Sequence, residues 1–234
     1  MWLADVRDGT LAELHDGLTR DQLVERLIAI GAEDRGTVVG LDFAFSFPAW
    51  WCRERGWDGI GAVWTAVAAD GERWLGDCTP PFWGRPGRLN PHPPDRRLRR
   101  TEADTAGAKS VFQIGGAGAV GTGSIRGMPH LARLEREGFG IWPFTPGRPL
   151  VVEIYPRVLT GPVRKSSPEE RHAYVDKRFG GTQPAELLER AAGSEDAFDA
   201  AVSALVMAEH AGELAALEPD PRYALEGRIW RPGL

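Results

Sequence analysis

The chain has 234 residues, 42% hydrophobic and 26% charged, enough to bury one good core, and no stretch approaches the roughly 18 apolar residues of a membrane span. A formal charge of -5 argues against a protein that coats nucleic acid non-specifically, while a local basic surface remains open to it. Cys52 and Cys78 have neither metal-ligand spacing nor the numbers for a disulfide framework, and Met1-Trp2-Leu3-Ala4-Asp5 has no basic, apolar leader, so a cytoplasmic protein is expected.

In chain order, Trp2 to Val6 and Leu11 to Leu14 flank Arg7-Asp8-Gly9-Thr10, whose Asp-Gly pair predicts a hairpin. Thr19 caps a predicted helix with Leu23, Val24, Leu27, Ile28 and Ile30 on one side, ended by Gly31. A strand is expected over 37–45. Helical material follows Pro48 and stops near Asp70-Gly71. Residues 79–104 are rich in Pro and Arg and read as a basic extended loop that cannot be core. A Gly-rich stretch leads to a helix around Pro129 to Glu137, then to strands near 139–144 and 149–155. The last third reads as helical, over Pro168 to Phe179, Pro184 to Ala192, and from a Ser194 cap to about His210. Strands alternating with helices predict an α/β or mixed-sheet domain.

Three acids interrupt apolar elements: Asp42 in Val38-Val39-Gly40-Leu41-Asp42-Phe43, Glu153 in Leu150-Val151-Val152-Glu153-Ile154-Tyr155, and Asp199 in Phe198-Asp199-Ala200-Ala201-Val202. A carboxylate removed from water costs several kcal/mol unless it is paired, hydrogen-bonded or metal-bound. One shared metal site is the expectation. Asp196 sits three residues before Asp199, so the two would be neighbours on a helix, although an acid in the first turn also favours the helix dipole.

Gly40-Leu41-Asp42-Phe43-Ala44-Phe45-Ser46-Phe47-Pro48, Phe82-Trp83-Gly84-Arg85-Pro86-Gly87, Arg99-Arg100-Thr101-Glu102, Val152-Glu153-Ile154-Tyr155-Pro156 and Asp196-Ala197-Phe198-Asp199-Ala200 together resemble the DUF429 family of predicted nucleases with a ribonuclease H-like fold. The resemblance covers nearly the whole chain. It implies a single α/β domain over 1–234, with a mixed five-stranded sheet of order 3-2-1-4-5 flanked by helices. It also implies a metal-dependent nuclease or phosphodiesterase acting on nucleic acid. In that class, clustered carboxylates hold Mg²⁺ or Mn²⁺ ions, here Asp42, Glu153, Asp196 and Asp199 as catalytic and metal residues, with Arg85, Arg99, Arg100 and Arg126 binding substrate. One departure stands out. Met1-Trp2-Leu3-Ala4-Asp5-Val6 already resembles the family's second strand, so the central first strand and its Asp are expected upstream of Met1, and Asp5 is no substitute. Two alternatives follow, a catalytically lost ribonuclease H-like binding or structural module, and a nucleotide-dependent phosphotransferase, for which the length leaves no space.

Other signals carry less. Gly116-Ala117-Gly118-Ala119-Val120-Gly121 satisfies G-x-G-x-x-G, but a helix running from Gly118 through Gly121-Thr122-Gly123 is not expected, so the segment reads as a flexible, close-packing turn, with phosphate contact the lesser alternative. The Arg-rich loop is either a cradle for a nucleic-acid backbone or a solvated loop, and Phe82 and Trp83 either stack on bases or pin the loop to the core. His15, His92, His130, His172 and His210 have no ligand spacing.

Overall fold

The computed structural model describes all residues from Met1 to Leu234. In chain order the elements are β1 (Leu3–Arg7), β2 (Thr10–His15), α1 (Arg20–Glu33), β3 (Val38–Leu41), α2 (Ala49–Glu54), α3 (Ile60–Asp77), α4 (Arg100–Ala103), α5 (Gly121–Arg136), β4 (Gly140–Ile141), β5 (Leu150–Glu153), α6 (Pro156–Thr160), α7 (Pro168–Phe179), α8 (Ala185–Ala192), α9 (Glu195–Glu209) and α10 (Ala211–Ala215). The protein is α/β, as expected. No helix is long and apolar enough to cross a membrane. The chain divides into two compact units: Met1–Ala29 with Tyr155–Leu217 and Arg231–Leu234, and Ile30–Ile154 with Glu218–Trp230.

In the first unit, β1 and β2 form the expected antiparallel hairpin, turning at Asp8 (φ 49°) and Gly9 (φ 73°). A register shift between Asp5 and Val6 leaves Ala12 out of the ladder, so Leu11 and Leu14 both face inward, where they are buried at 0% and 2% exposure. They meet α8 and α9, whose Leu188, Ala191, Phe198, Val202 and Leu205 complete the core. Gln183 clamps the hairpin by accepting from Leu11 N at 2.7 Å and donating to Gly9 O at 2.9 Å. Ser167 and Ser194 cap α7 and α9 through side-chain oxygens, the latter as predicted.

In the second unit, β3, β5 and β4 form a parallel sheet with β5 at its centre. All four residues of β5 are buried, the continuous apolar run of a strand covered on both faces. The five strands therefore form two sheets rather than the expected five-stranded mixed sheet. The hairpin spends its inward face on α8 and α9, and β3 pairs with β5. The strand expected over 37–45 shortens to Val38–Leu41, because the chain turns at Asp42 and sends residues 44–48 into the core.

Three helix boundaries move, each for a packing reason. α1 continues past Gly31, where a Cβ would come within 2.6 Å of Phe139 and Pro149. α3 continues past Gly71, which packs on Ile125 of α5. α5 begins at Gly121, not near Pro129, and does include Thr122 and Gly123. A side chain at Gly121 would run into Val111 O, and the buried stripe Ile125, Met128, Leu131 and Leu134 offsets the poor helix propensity of those glycines.

The segment 79–104 corrects the expectation that it cannot be core: Phe82, Trp83, Arg99, Thr101 and Glu102 are all buried. Phe82 joins Phe47, Trp51, Trp74 and Phe112 in an aromatic cluster, with Phe47 stacked on Phe112 at 5.8 Å and edge-on to Trp51 at 4.7 Å. Such geometries add stability beyond area burial, and they hold the Pro-rich chain against α2 and α3.

Candidate functional site

The centre of the second unit is a buried ionic hub at the carboxyl end of its parallel strands. Glu153 is the last residue of β5, beside Leu41 in the register. Beyond β3 the chain folds back, so that Phe45 N donates to Glu153 Oε2 at 3.0 Å. That loop is fixed by Ala44 N donating to Ser124 Oγ and Trp64 Nε1 donating to Phe45 O, both at 2.9 Å. Arg99 precedes the short turn α4, and Glu102 reaches back to accept from Arg99 N at 2.9 Å, a capping-box arrangement.

The Arg99 guanidinium then faces both acids. Its Nη1 and Nη2 donate to the two oxygens of Glu153, at 2.8 and 2.5 Å, and its Nε donates to Glu102 at 2.9 Å. Nη1 also donates to Glu226 O at 2.9 Å. Exposure is 1% for Arg99, 2% for Glu153 and 3% for Glu102. Burial works against the Arg99 charge, but Glu153 and Glu102 more than offset it, so its pKa is raised and the group stays a cation. Burial raises the Glu102 carboxyl, with Arg99 opposing. A planar fork on a carboxylate is the strong, directional form of this interaction.

The segment Glu218–Trp230 closes over the hub. Gly227 (φ 72°) lies against the ion pair, where a Cβ would be 3.4 Å from Arg99 Nη1 and 3.5 Å from Glu153 Oε2. Ser46 Oγ donates to Leu225 O, Ile229 N to Thr101 Oγ1 at 2.8 Å, and Trp230 N to Glu153 O at 2.8 Å. The Glu226 carboxylate accepts from Ala49 N at 3.3 Å. The backbone groups around the two buried acids are thereby tied to one another.

The expected site residues fall as follows. Asp42 is exposed, one residue beyond β3, and Glu153 is locked to Arg99; both lie in the second unit. Asp196 and Asp199 lie in the first unit, on α9. Asp196 is exposed in the first turn, where an acid suits the helix dipole. Asp199 is four-fifths buried and holds Lys165 Nζ through both oxygens, at 2.8 and 2.5 Å. Burial raises the Asp199 carboxyl, and Lys165 opposes that shift. Neither unit gathers three His, Cys, Asp or Glu side chains as a metal-binding group. Glu153 and Asp199 spend both oxygens on cations of the fold, so the donor set as arranged does not fit Mg²⁺ or Mn²⁺.

Among the expected substrate-binding arginines, Arg99 is internal. Arg126 pairs with Glu72 at 2.7 Å, and Arg100 sits over Tyr223 with Glu226 at 3.9 Å. Arg85 is exposed and makes no ion pair. Phe82 and Trp83 are buried at 3% and 8% exposure, which settles their role as core anchors rather than base-stacking surfaces. Lys165, which holds Asp199 in the first unit, and Glu226, which joins the hub in the second, have no distinguishing signal in the sequence. Comparison with protein-family models, curated proteins and solved structures finds no match.

Proposed function

We propose that this chain is a relative of the DUF429 family that works as a binding module, its acidic centre serving the fold rather than a pair of metal ions. The observation that carries this reading is the Arg99 fork on Glu153, nine-tenths or more buried on both sides and closed over by Gly227. A divalent ion at Glu153 would have to displace a bidentate guanidinium and leave that cation buried beside the metal. Breaking such a buried pair costs about 3–5 kcal/mol before any new electrostatic repulsion. Three of the five segments behind the resemblance supply the hub, through Phe45, Arg99 with Glu102, and Glu153.

A second reading, a metal-dependent phosphodiesterase, is favoured by one feature. Asp42 is exposed at the carboxyl end of β3, the end at which open parallel sheets bind ligands. The two readings separate on incubation of the full chain with labelled single-stranded and duplex DNA and RNA in Mg²⁺ or Mn²⁺. The binding-module reading predicts no cleavage above a metal-only control. Cleavage that Asp42→Asn abolishes overturns it in favour of the hydrolase.

A further inference from the structure

Several arginines elsewhere in the second unit have carboxylate partners, Arg73 with Asp70, Arg96 with Glu54, Arg99 with Glu102 and Glu153, and Arg126 with Glu72, while Arg35, Arg97 and Arg136 donate to backbone carbonyls. Arg85, Arg88 and Lys109 are exposed and make no ion pair. The segments that bear them, 79–94 and 105–123, contain not one Asp or Glu. In a chain of net charge -5 this is a local excess of positive charge with no internal purpose.

The fold brings these cations to one loop cluster. Trp83 N donates to Phe112 O at 3.1 Å, and Ile114 N donates to Trp83 O at 2.9 Å, zipping the two segments side by side. Just beyond, Gly84 and Gly115 approach so closely that a Cβ on Gly115 would lie 2.5 Å from Gly84 O. Pro86 and Gly87 (φ 73°) occupy the centre of a turn closed by Arg88 N donating to Arg85 O at 2.9 Å, which sets the two arginines at its ends. On the other segment the Lys109 stem lies against Gly118, 3.4 Å from where a Cβ would stand.

Between them runs the loop Gly115-Gly116-Ala117-Gly118-Ala119-Val120, whose carbonyls at Gly115 and Ala117 are held by Gln113 Nε2. Apart from Ala119 N, which lies in a turn over Gly116–Ala119, its backbone N–H groups from Gly115 to Val120 make no hydrogen bond within the protein. Gly116, Ala117 and Gly118 are exposed, and their missing or minimal side chains let an anion reach those donors. Because Phe82 and Trp83 are buried beneath, the surface offers charge and N–H donors but no aromatic face to a base.

We propose that the Arg85–Arg88 turn, Lys109 and the Gly115–Val120 loop bind the phosphate groups of a phosphate-bearing polyanion. This names the ligand class of the binding module proposed above and rests on that reading. Two sources share the chemistry: a nucleic-acid backbone and a free polyphosphate chain. The test uses the full-length chain, with tripolyphosphate titrated by calorimetry and a labelled single-stranded oligonucleotide followed by anisotropy. Variants are the doubly substituted Arg85→Gln/Arg88→Gln, Lys109→Gln, and Arg73→Gln as a control away from the loop cluster, each checked for an unchanged melting curve.

Wild type and the Arg73 control are expected to bind, and the double variant to bind about tenfold or more weakly, with Lys109→Gln intermediate. The salt slope for the oligonucleotide should be about -2 for three neutralised phosphates and shrink in the variants. Tighter binding of the oligonucleotide assigns the surface to a nucleic-acid backbone, and tighter binding of tripolyphosphate assigns it to a free polyphosphate chain. Failure of wild type to bind either probe at about 50 mM salt, or binding by the double variant within about twofold of wild type, overturns the proposal. Metal-dependent cleavage of the bound oligonucleotide would instead overturn the binding-module reading and leave the phosphate surface standing.

Discussion

Replacing Arg99 by methionine keeps most of the stem volume and removes the one cation that faces Glu153 and Glu102. Four side-chain hydrogen bonds disappear, to the two Glu153 oxygens, to Glu102 and to Glu226 O. Two carboxylates of 2–3% exposure then share a site that keeps only backbone donors, Phe45 N and residue 99 N. Removing one partner of a buried pair costs about 3–5 kcal/mol, a large part of the 5–15 kcal/mol that typically holds a domain together. Every tryptophan except Trp2 lies in the second unit, so urea unfolding followed by tryptophan fluorescence reads mainly the unit concerned.

The pH dependence supplies a sign. Without the cation nothing opposes the burial that raises the Glu102 carboxyl above its unfolded value of about 4.3, so the folded variant binds a proton that the unfolded chain does not. Its deficit against wild type should be full at neutral pH and shrink as pH falls through the raised folded value of Glu102. Adding Glu153→Gln to Arg99→Met should recover part of the loss, because an amide is cheaper to bury than an unpaired carboxylate. A loss below about 1 kcal/mol at pH 8, or a deficit that grows toward pH 5, would refute the account of the hub.

Three further outcomes are expected. Burial pushes the Cys52 thiol up to about 11, so its contribution is intact below the ordinary value of 9.0 and lost as pH rises toward 11. The stability gap between wild type and Cys52→Ala should therefore narrow by about 2–3 kcal/mol over that window, whereas a constant gap would show an unperturbed thiol. Gly84→Ala would drive a Cβ into Gly115 O at a backbone φ of 103°, and thermal melts should show a loss of about 1–3 kcal/mol that the same change at the open, exposed Gly61 does not produce. Lys165→Met removes the cation that opposes the burial shift of Asp199, so a carboxyl-resolved NMR titration should find Asp199 titrating higher than in wild type; an unchanged value would mean that the ion pair is not formed in solution.

Local patterns carried the parts of the fold that depend on local physics. Asp8-Gly9 turned the hairpin, Ser194 capped α9, and Pro168 to Phe179 formed α7 to the residue. What failed depended on contacts distant in sequence. Glycine is required at the start of α5 because Val111 O leaves no space for a side chain at 121, and within α3 because Ile125 crowds position 71, while buried apolar stripes carry both helices through them. The acids of the site were legible as carboxylates in apolar surroundings, and the demand for a partner was sound. The partner was not legible. Arg99 lies 54 residues from Glu153 within a run of arginines, and nothing local separates the buried one from Arg96, Arg97 or Arg100. A metal and a guanidinium satisfy a buried carboxylate alike, so composition could not choose between them.

Calorimetric titration of Mn²⁺ into wild type and Glu153→Gln tests the role of the acidic centre most directly. The account predicts no saturable site in either protein, and a melting temperature for wild type that Mn²⁺ leaves unmoved, since a ligand that does not bind the folded state cannot stabilise it. A saturable Mn²⁺ site in wild type that Glu153→Gln abolishes would contradict it, because it would show that Arg99 yields Glu153 to the metal.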